Sequence, residues 1–305
     1  MRRFLGYGGL LAAGVLTMGL LTPGTATAEQ SGTTAPCRIS VGSVTAAGDH
    51  RMQTFTATAP VTKVTDKVVA KGVYAPGQAR ISSQLRYGLG EGSELHIGNA
   101  VLGSVLYNVS YRTPAGGGSA VLEKYLTRIG PGWQNYRSYD LTGFGLRDTA
   151  WSLNNNGNME RRTIETVEGR QYYHYDGVLG NFPNTKGIAQ ISQTATYDTF
   201  LMSRSDGKLT TVRFSAVRGQ PLRTEVKPVR TTTWQVFETL VAAPCGNGTI
   251  LLGIDRDTGN GYLYSVGHAN GLATTVRGLG KVPATFTDPV YFRWAAFGDP
   301  LLAGD

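Results

Sequence analysis

The sequence predicts an all-β protein assembled from repeated units, and three observations lead to this prediction. Glycine is abundant, with 41 residues among 305, and the chain also contains 15 tyrosines. Apolar runs are short and are separated by turn residues, which is typical of strands and does not build amphipathic helices. Similar segments of run, turn and run also recur at a regular spacing along the chain.

The clearest unit is the segment 251–266, LLGIDRDTGNGYLYSV. Apolar residues lie on both sides of a polar, glycine-containing centre, as in a β-hairpin. The acidic centre does not have the spacing of a calcium loop. Counted from Asp255, the sixth position is Asn260 instead of glycine, and the twelfth is Val266 instead of glutamate. We therefore predict a turn between two strands and no metal site.

Related segments occur at 199–214 and 149–164, and a looser one begins at Ser104. Steps of 45, 50, 51 and 49 residues separate the aligned positions Leu106, Trp151, Leu201, Leu252 and Leu301. Repeats of this length made of short strands are typical of a β-propeller, in which each repeat forms one four-stranded blade. We therefore predict a single propeller domain, residues 37–305, with five blades. Six blades, or a pair of β-sandwich domains, are the alternatives.

A second repeated signal is aromatic. Trp133 and Trp234 each lie 18 residues before an aligned position, and Tyr136 and Phe237 each follow three residues later. These aromatic pairs occupy equivalent places in alternate units, which fits repeated pockets as well as repeated packing between blades.

The first 28 residues have the pattern of a secretory signal peptide. Arg2 and Arg3 precede an apolar core, and small residues at 26–28 form a cleavage site. A polar leader, 29–36, follows. No later stretch is long and apolar enough to span a membrane, so we expect a secreted, extracellular protein.

Cys37 and Cys245 are the only cysteines. In an oxidising compartment two cysteines predict one disulfide, with two free thiols as the alternative. In a closed propeller, the N-terminal strand at 37–44 would complete a blade with the C-terminal segment around Leu301. The disulfide would then fasten the closure.

Charge and motifs exclude several classes of function. The 29 basic residues are scattered among 21 acidic ones, so a nucleic-acid partner is not predicted. No second histidine or cysteine stands at metal-ligand spacing from any of the four histidines, which are His50, His96, His174 and His268. No Gly-x-Ser-x-Gly elbow is present either. We therefore predict no metal, no cofactor and no catalytic residue.

Four stretches of the chain resemble the tachylectin-type β-propeller lectins. They are IGPGWQNY at 129–136, WQVFETL at 234–240, ILLGI at 250–254 and GYLYSV at 261–266. The resemblance implies a five-bladed propeller that binds amino sugars in pockets near neighbouring blades, without catalysis. In alternate units Gly-x-x-Pro replaces the Gly-Trp element of this family.

Aromatic side chains suit sugar binding because they present flat apolar faces with polar edges. The predicted ligand-binding residues are the stacking or pocket-wall groups Trp133, Tyr136, Trp234 and Phe237, with the hydroxyl acceptors Asp148 and Asp198. The two aspartates recur at one offset in the repeat, whereas catalytic acids must differ in environment. This recurrence favours a structural or ligand-binding role over catalysis.

Tyr172, Tyr173, His174 and Tyr175 follow one another directly. Alternate side chains of a strand face opposite ways, so at least one of these polar aromatic groups should reach solvent.

The sequence therefore predicts a secreted, non-enzymatic propeller that binds carbohydrate, either an amino sugar or a cell-wall polysaccharide. One alternative is a secreted propeller glycosidase or polysaccharide lyase, and a glycosidase would need paired carboxylates. The other alternative is a scaffold for protein interactions.

Overall fold

The computed structural model describes residues 36–142, 147–168 and 170–305. The predicted signal peptide, 1–28, lies outside the described residues, as does the predicted leader except for Pro36. The described chain is built of strands, which confirms the all-β class. Within the described part, no helix is long and apolar enough to cross a membrane.

The described residues form 21 strands and one turn of 3-10 helix at Trp133–Asn135. In chain order the strands are β1 (Arg38–Val44), β2 (His50–Thr56), β3 (Thr62–Ala70), β4 (Ala79–Ser82), β5 (Leu85–Gly90), β6 (Ser93–Leu102), β7 (Val105–Pro114), β8 (Glu123–Pro131), β9 (Tyr136–Thr142), β10 (Thr149–Asn154), β11 (Met159–Val167), β12 (Arg170–Leu179), β13 (Thr185–Gln193), β14 (Tyr197–Arg204), β15 (Leu209–Ser215), β16 (Thr224–Arg230), β17 (Thr239–Cys245), β18 (Gly248–Asp255), β19 (Asn260–Val266), β20 (Val276–Thr285) and β21 (Val290–Ala296).

Three sheets have four antiparallel strands each, namely β9 to β12, β13 to β16 and β17 to β20. The other nine strands form one sheet in the order β3-β2-β1-β21-β5-β6-β7-β8, with β4 also paired to β6. In this sheet β21 pairs antiparallel with β1 but parallel with β5. The parallel step divides the sheet into two groups, β21 with β1 to β3 and β4 with β5 to β8.

The two ends of the described chain meet in one of these groups. Val41 of β1 lies opposite Arg293 of β21. The predicted pairing of chain ends is therefore confirmed, but the C-terminal partner is β21 and not the segment around Leu301, which lies in no strand. Cys37 and Cys245 form the predicted disulfide, with their Cα atoms 5.6 Å apart. It fastens the chain just before β1 to the end of β17.

The first strands of the five groups form a ring of contacts. β4 contacts β9, β9 contacts β13, β13 contacts β17, β17 contacts β21, and β21 contacts β4. Residues from all five strands line a central cavity of about 170 Å³. Hydrophobic clusters fill the spaces between neighbouring groups. One of these clusters packs Trp151 and Met159 against Phe200 and Phe214.

One backbone hydrogen bond recurs at the entry to every group. An aromatic residue ahead of the first strand donates its N–H to the turn between the second and third strands of the preceding group. The five bonds are 2.8–3.0 Å long and join Tyr74 to Gly48, Trp133 to Ser104, Phe182 to Gly157, Trp234 to Gly207 and Phe286 to Gly259. All five aromatic side chains are buried, so the bond and the packing together fix each group to the next.

The sequence alignment of the repeats is correct at three positions and shifted at two. Trp151, Leu201 and Leu252 all lie in the second strand of a group. Leu106 lies in the third strand of its group, which divides its first position between β4 and β5 and is therefore longer. Leu301 lies in no strand, because the second strand of the group that starts with β21 is β1, from the other end of the chain. The hairpin predicted at 251–266 is confirmed as β18 and β19.

Candidate functional site

Trp133 stands at the junction between the group β4 to β8 and the sheet β9 to β12. Gly132 before it has a φ of 97°, a conformation that glycine adopts without steric cost. The indole packs on two rings of the same sheet, with centroid distances of 4.6 Å to Tyr136 and 5.3 Å to Tyr139. The bond to Ser104 holds it from the other side. Trp133 is therefore buried and fixed in orientation.

Tyr136, Glu160 and Arg162 form a hydrogen-bonded triad beside this tryptophan. The Tyr136 hydroxyl donates to Glu160 Oε2 at 2.7 Å, and Arg162 donates to the same oxygen at 2.6 Å. The guanidinium carbon of Arg162 lies 5.1 Å from the ring centre of Trp133, within reach of a cation–π interaction. Glu160 and Arg162 are two residues apart on β11, so their side chains share a face. The triad is thus a preorganised group of donors and acceptors.

Tyr175 adds an exposed aromatic face to the triad. It lies opposite Arg162 in the pairing of β11 with β12 and is 58% exposed. Tyr173, on the same face of β12, accepts a hydrogen bond of 2.7 Å from Asn99 of β6, which links the two groups. Tyr172 is also exposed, so the prediction that a polar aromatic group of this stretch reaches solvent is confirmed.

The ionisation of the triad follows from its contacts. Burial, and next the hydrogen bond to Glu160, raise the pKa of the Tyr136 hydroxyl, which therefore remains a donor. Burial acts to lower the pKa of Arg162, but its bonds and charge interactions with Tyr136 and Glu160 outweigh burial and raise it. The Arg162 side chain is 16% exposed and that of Glu160 12%. A cation and a carboxylate are thus held at the edge of the solvent.

Trp234 and Phe237 occupy the corresponding place at the entry to β17. Both are buried, with ring centroids 5.3 Å apart. Tyr264 packs on Trp234 with a centroid distance of 4.8 Å, and Tyr262 packs on Phe237. This cluster is wholly aromatic.

The register explains the difference between the two clusters. Trp151 opposes Arg161 in one sheet and Leu252 opposes Leu263 in the other. Arg162 is the residue after Arg161, and Tyr264 is the residue after Leu263. Tyr264 therefore stands at the position that Arg162 has in the first cluster. The two aromatic sites predicted from sequence are equivalent in backbone but not in chemistry.

Asp198 is fully buried and held by side chains of the preceding sheet. Its carboxylate accepts from Trp151 Nε1 at 2.6 Å and from Thr142 Oγ1 at 3.0 Å, and it pairs with Arg147 at 2.7 Å. Asp148, by contrast, is exposed. The two aspartates share an offset in the repeat but not an environment. The contacts of Asp198 suit the joining of two sheets, and the predicted role of either residue as a hydroxyl acceptor stays a prediction.

The histidines also have different environments. His50 and His96 are buried around Tyr111, whose hydroxyl lies 2.7 Å from His50 Nδ1 and whose ring stacks on His96 at 4.6 Å. His174 and His268 are exposed. Within 36–142, 147–168 and 170–305, no group of three or more His, Cys, Asp or Glu side chains could hold a metal ion.

Sequence reasoning missed three residues of the candidate site, which are Glu160, Arg162 and Tyr175. The sequence does indicate that 159–167 and 170–179 are two strands of a hairpin, so a contact between residues of the two strands could be expected. Their pairing register, with a bulge between Arg161 and Arg162, decides that Tyr175 opposes Arg162, and no pattern in the sequence fixes that bulge.

No protein-family model matches the chain, and no curated protein sequence matches it. Several solved structures are similar at low identity. The SapL1 lectin in complex with alpha methyl fucoside has a TM-score of 0.41 and 8% identity, over 80% of each chain. The BP39L lectin from Burkholderia pseudomallei has a TM-score of 0.41 and 13% identity, over 82% of this chain and 71% of the lectin.

A putative 6-phosphogluconolactonase from Bacteroides uniformis has a TM-score of 0.35 and 12% identity, over 81% of this chain and 68% of the other. At these TM-scores the likenesses carry no argument about fold or function.

Proposed function

We propose that residues 37–305 form a five-bladed β-propeller. Three observations support this: the ring of five first strands, the packing between neighbouring groups, and the five repeats of the aromatic bond to a turn. In this arrangement β21 and β1 to β3 make the blade that joins the two chain ends. β4 and β5 share the innermost position of the next blade.

We further propose that the protein binds carbohydrate without catalysis, at the site formed by Trp133, Tyr136, Glu160, Arg162 and Tyr175. The observation that carries the proposal is the exposed ring of Tyr175 beside the ordered pair of Glu160 and Arg162. A pyranose has one apolar C–H face and a rim of hydroxyl groups, so it needs an aromatic surface next to polar groups.

The polar groups of the site match that need. Arg162 offers fixed N–H donors and Glu160 offers acceptor lone pairs. Because Tyr136 and the two ionic groups hold one another, little side-chain freedom remains to be lost on binding. The partner that suits this site is an amino sugar or a cell-wall polysaccharide, in which an amine or hydroxyl can contact Glu160.

The disulfide between Cys37 and Cys245 supports export, because such bonds persist in oxidising compartments. We therefore propose that the mature protein acts outside the cell, after removal of residues 1–28. The ligand-binding roles of Trp234 and Phe237 remain part of the proposal. Their burial equally suits packing between blades.

The test is binding to an array of glycans and cell-wall polysaccharides, with polymer breakdown assayed in parallel. Tyr175→Ala should lower affinity by about tenfold, the value of one aromatic stacking contact of roughly 1.4 kcal/mol. Tyr172→Ala is the matched control because Tyr172 is exposed on the opposite face of the same strand. Equal affinity of the two variants would contradict the site, and polymer breakdown would contradict the absence of catalysis.

A further inference from the structure

The central cavity contains an arginine that has no bonded partner among the described residues. Arg293 lies on β21, and its side chain lines the cavity. Toward the described residues it makes no hydrogen bond and no ion pair, and the charges of Asp140 and Asp299 act on it only at longer range. Burial lowers the pKa of its guanidinium. A cation held in this way favours a ligand of opposite charge.

The cavity as a whole has an excess of positive charge. Five cationic side chains line it, against two carboxylates; they are Arg80, Arg137, Lys186, Arg256 and Arg293, opposed by Asp140 and Glu238. Lys186 and Glu238 form an ion pair with each other. Walls of low dielectric concentrate such a field and attract small anions.

Asp140 supplies a complementary group in the same cavity. Its Oδ1 accepts the N–H of Leu141 at 2.9 Å, and its Oδ2 accepts no hydrogen bond from the described residues. A carboxylate oxygen that is free to accept, in a cavity shared with a guanidinium that is free to donate, selects a ligand with both an anionic group and a hydroxyl.

The C-terminal segment 297–305 restricts the cavity beside Arg293. Leu302 lines the cavity, and its carbonyl accepts the N–H of Gln193 at 3.1 Å. Asp305 is anchored by Arg213 at 2.8 Å. Pro300 faces Arg293 across a smaller gap. The C-terminal segment is thus held in place beside Arg293.

We propose that the central cavity binds a small hydroxycarboxylate, with the carboxylate of the ligand on Arg293 and its hydroxyl on Asp140. A planar guanidinium matches a carboxylate with two parallel hydrogen bonds. A cavity of about 150 Å³ holds a ligand the size of benzene. The cavity of about 170 Å³ in this protein therefore suits a hydroxy acid the size of lactate. This site is distinct from the proposed sugar site.

The test is calorimetric titration of the mature protein with three probes of similar size: lactate, propionate and propane-1,2-diol. Lactate should bind, propionate should bind more weakly because it lacks the hydroxyl, and the diol should not bind. Arg293→Gln should weaken lactate binding by about tenfold or more, because it removes a charge-assisted bidentate contact. Arg277→Gln, at an exposed arginine of β20, is the matched control and should keep the affinity of the wild type.

Absence of lactate binding to the wild type, or an unchanged dissociation constant for Arg293→Gln, would overturn the proposal. Equal binding of lactate and propionate would refute the role of Asp140. Should the glutamine variant fail to fold, Arg293→Lys keeps the charge but loses the planar fork, and it should bind lactate measurably more weakly. Unchanged affinity in Arg293→Lys would overturn the bidentate contact. Tyr175→Ala should leave lactate binding intact, which separates this test from the test of the sugar site.

Discussion

Acidification should destabilise the protein through the two buried histidines. Burial, and next the nearness of His96, lower the pKa of His50 from 6.5 to about 3. Burial, and next the charge of Lys67, lower the pKa of His96 to about 4. Both rings therefore remain neutral in the folded protein while they bind protons in the unfolded chain. The stability that depends on their neutrality is present above pH 6.5 and is lost as the pH falls towards 4.

The size of the effect follows from linkage. At pH 5 each histidine lies 1.5 units below its unfolded pKa of 6.5, which corresponds to about 2 kcal/mol at about 1.4 kcal/mol per unit. Together the pair should remove about 4 kcal/mol from the free energy of unfolding, a large part of the 5–15 kcal/mol that is typical of a folded protein.

Urea unfolding followed by tryptophan fluorescence at pH 8 and pH 5 measures this loss. His50→Gln removes one titrating ring and should reduce the loss by about 2 kcal/mol, whatever its effect on stability at pH 8. His268→Gln, at an exposed histidine outside the cluster, is the matched control. If His50→Gln lost as much stability as the wild type between the two pH values, the histidine would not be the proton-sensitive group.

Three further predictions concern stability. Burial raises the pKa of Asp140 from 3.8 to about 6, so this group favours folding below pH 3.8 and loses that contribution as the pH rises through 6. The effect of Asp140→Asn on the free energy of unfolding should therefore be more favourable at pH 8 than at pH 4, by up to about 3 kcal/mol in urea unfolding. Gly157 and Gly219 both have positive φ, of 82° and 76°, but only at Gly157 would a Cβ overlap a neighbouring backbone. Gly219→Ala should cost about 1 kcal/mol and Gly157→Ala about 3 kcal/mol or more, and equal losses would contradict the contact. Replacing Cys37 and Cys245 by serine opens a loop with a sequence separation of 208 residues and should cost about 5 kcal/mol, and an unchanged melting temperature would refute this.

The sequence predicted those features of the fold that depend on local pattern. The hairpin 251–266 has a turn with glycine between two apolar runs, so its two strands could be read directly. The equivalence of Trp133 and Trp234 was visible because the residue type is the same. Tyr74, Phe182 and Phe286 hold the same position, but their side chains differ and the intervening loops vary in length. The shared backbone bond shows that these five residues are equivalent.

The candidate site could be predicted only in part, for a different physical reason. Trp133 and Tyr136 belong to one short segment, whereas Arg162 and Tyr175 reach them through two strand pairings and a bulge. A shift of one residue in that register would turn every side chain of the strand to the other face. The burial of Asp198 likewise depends on Trp151 of a neighbouring sheet and on Arg147 just before that strand, which an offset within the repeat cannot show.

Residues that are similar in all five groups of strands have a different role from residues that differ between equivalent positions. All five residues that bond to turns are aromatic and buried, because each fixes one group of strands to the next. A ligand site has no such requirement, so its residues are free to differ between equivalent positions. Arg162 packs on Trp133 where Tyr264 packs on Trp234. The charge of Arg162 is balanced by Glu160, and under the proposed function this pair is the part of the site that contacts the ligand.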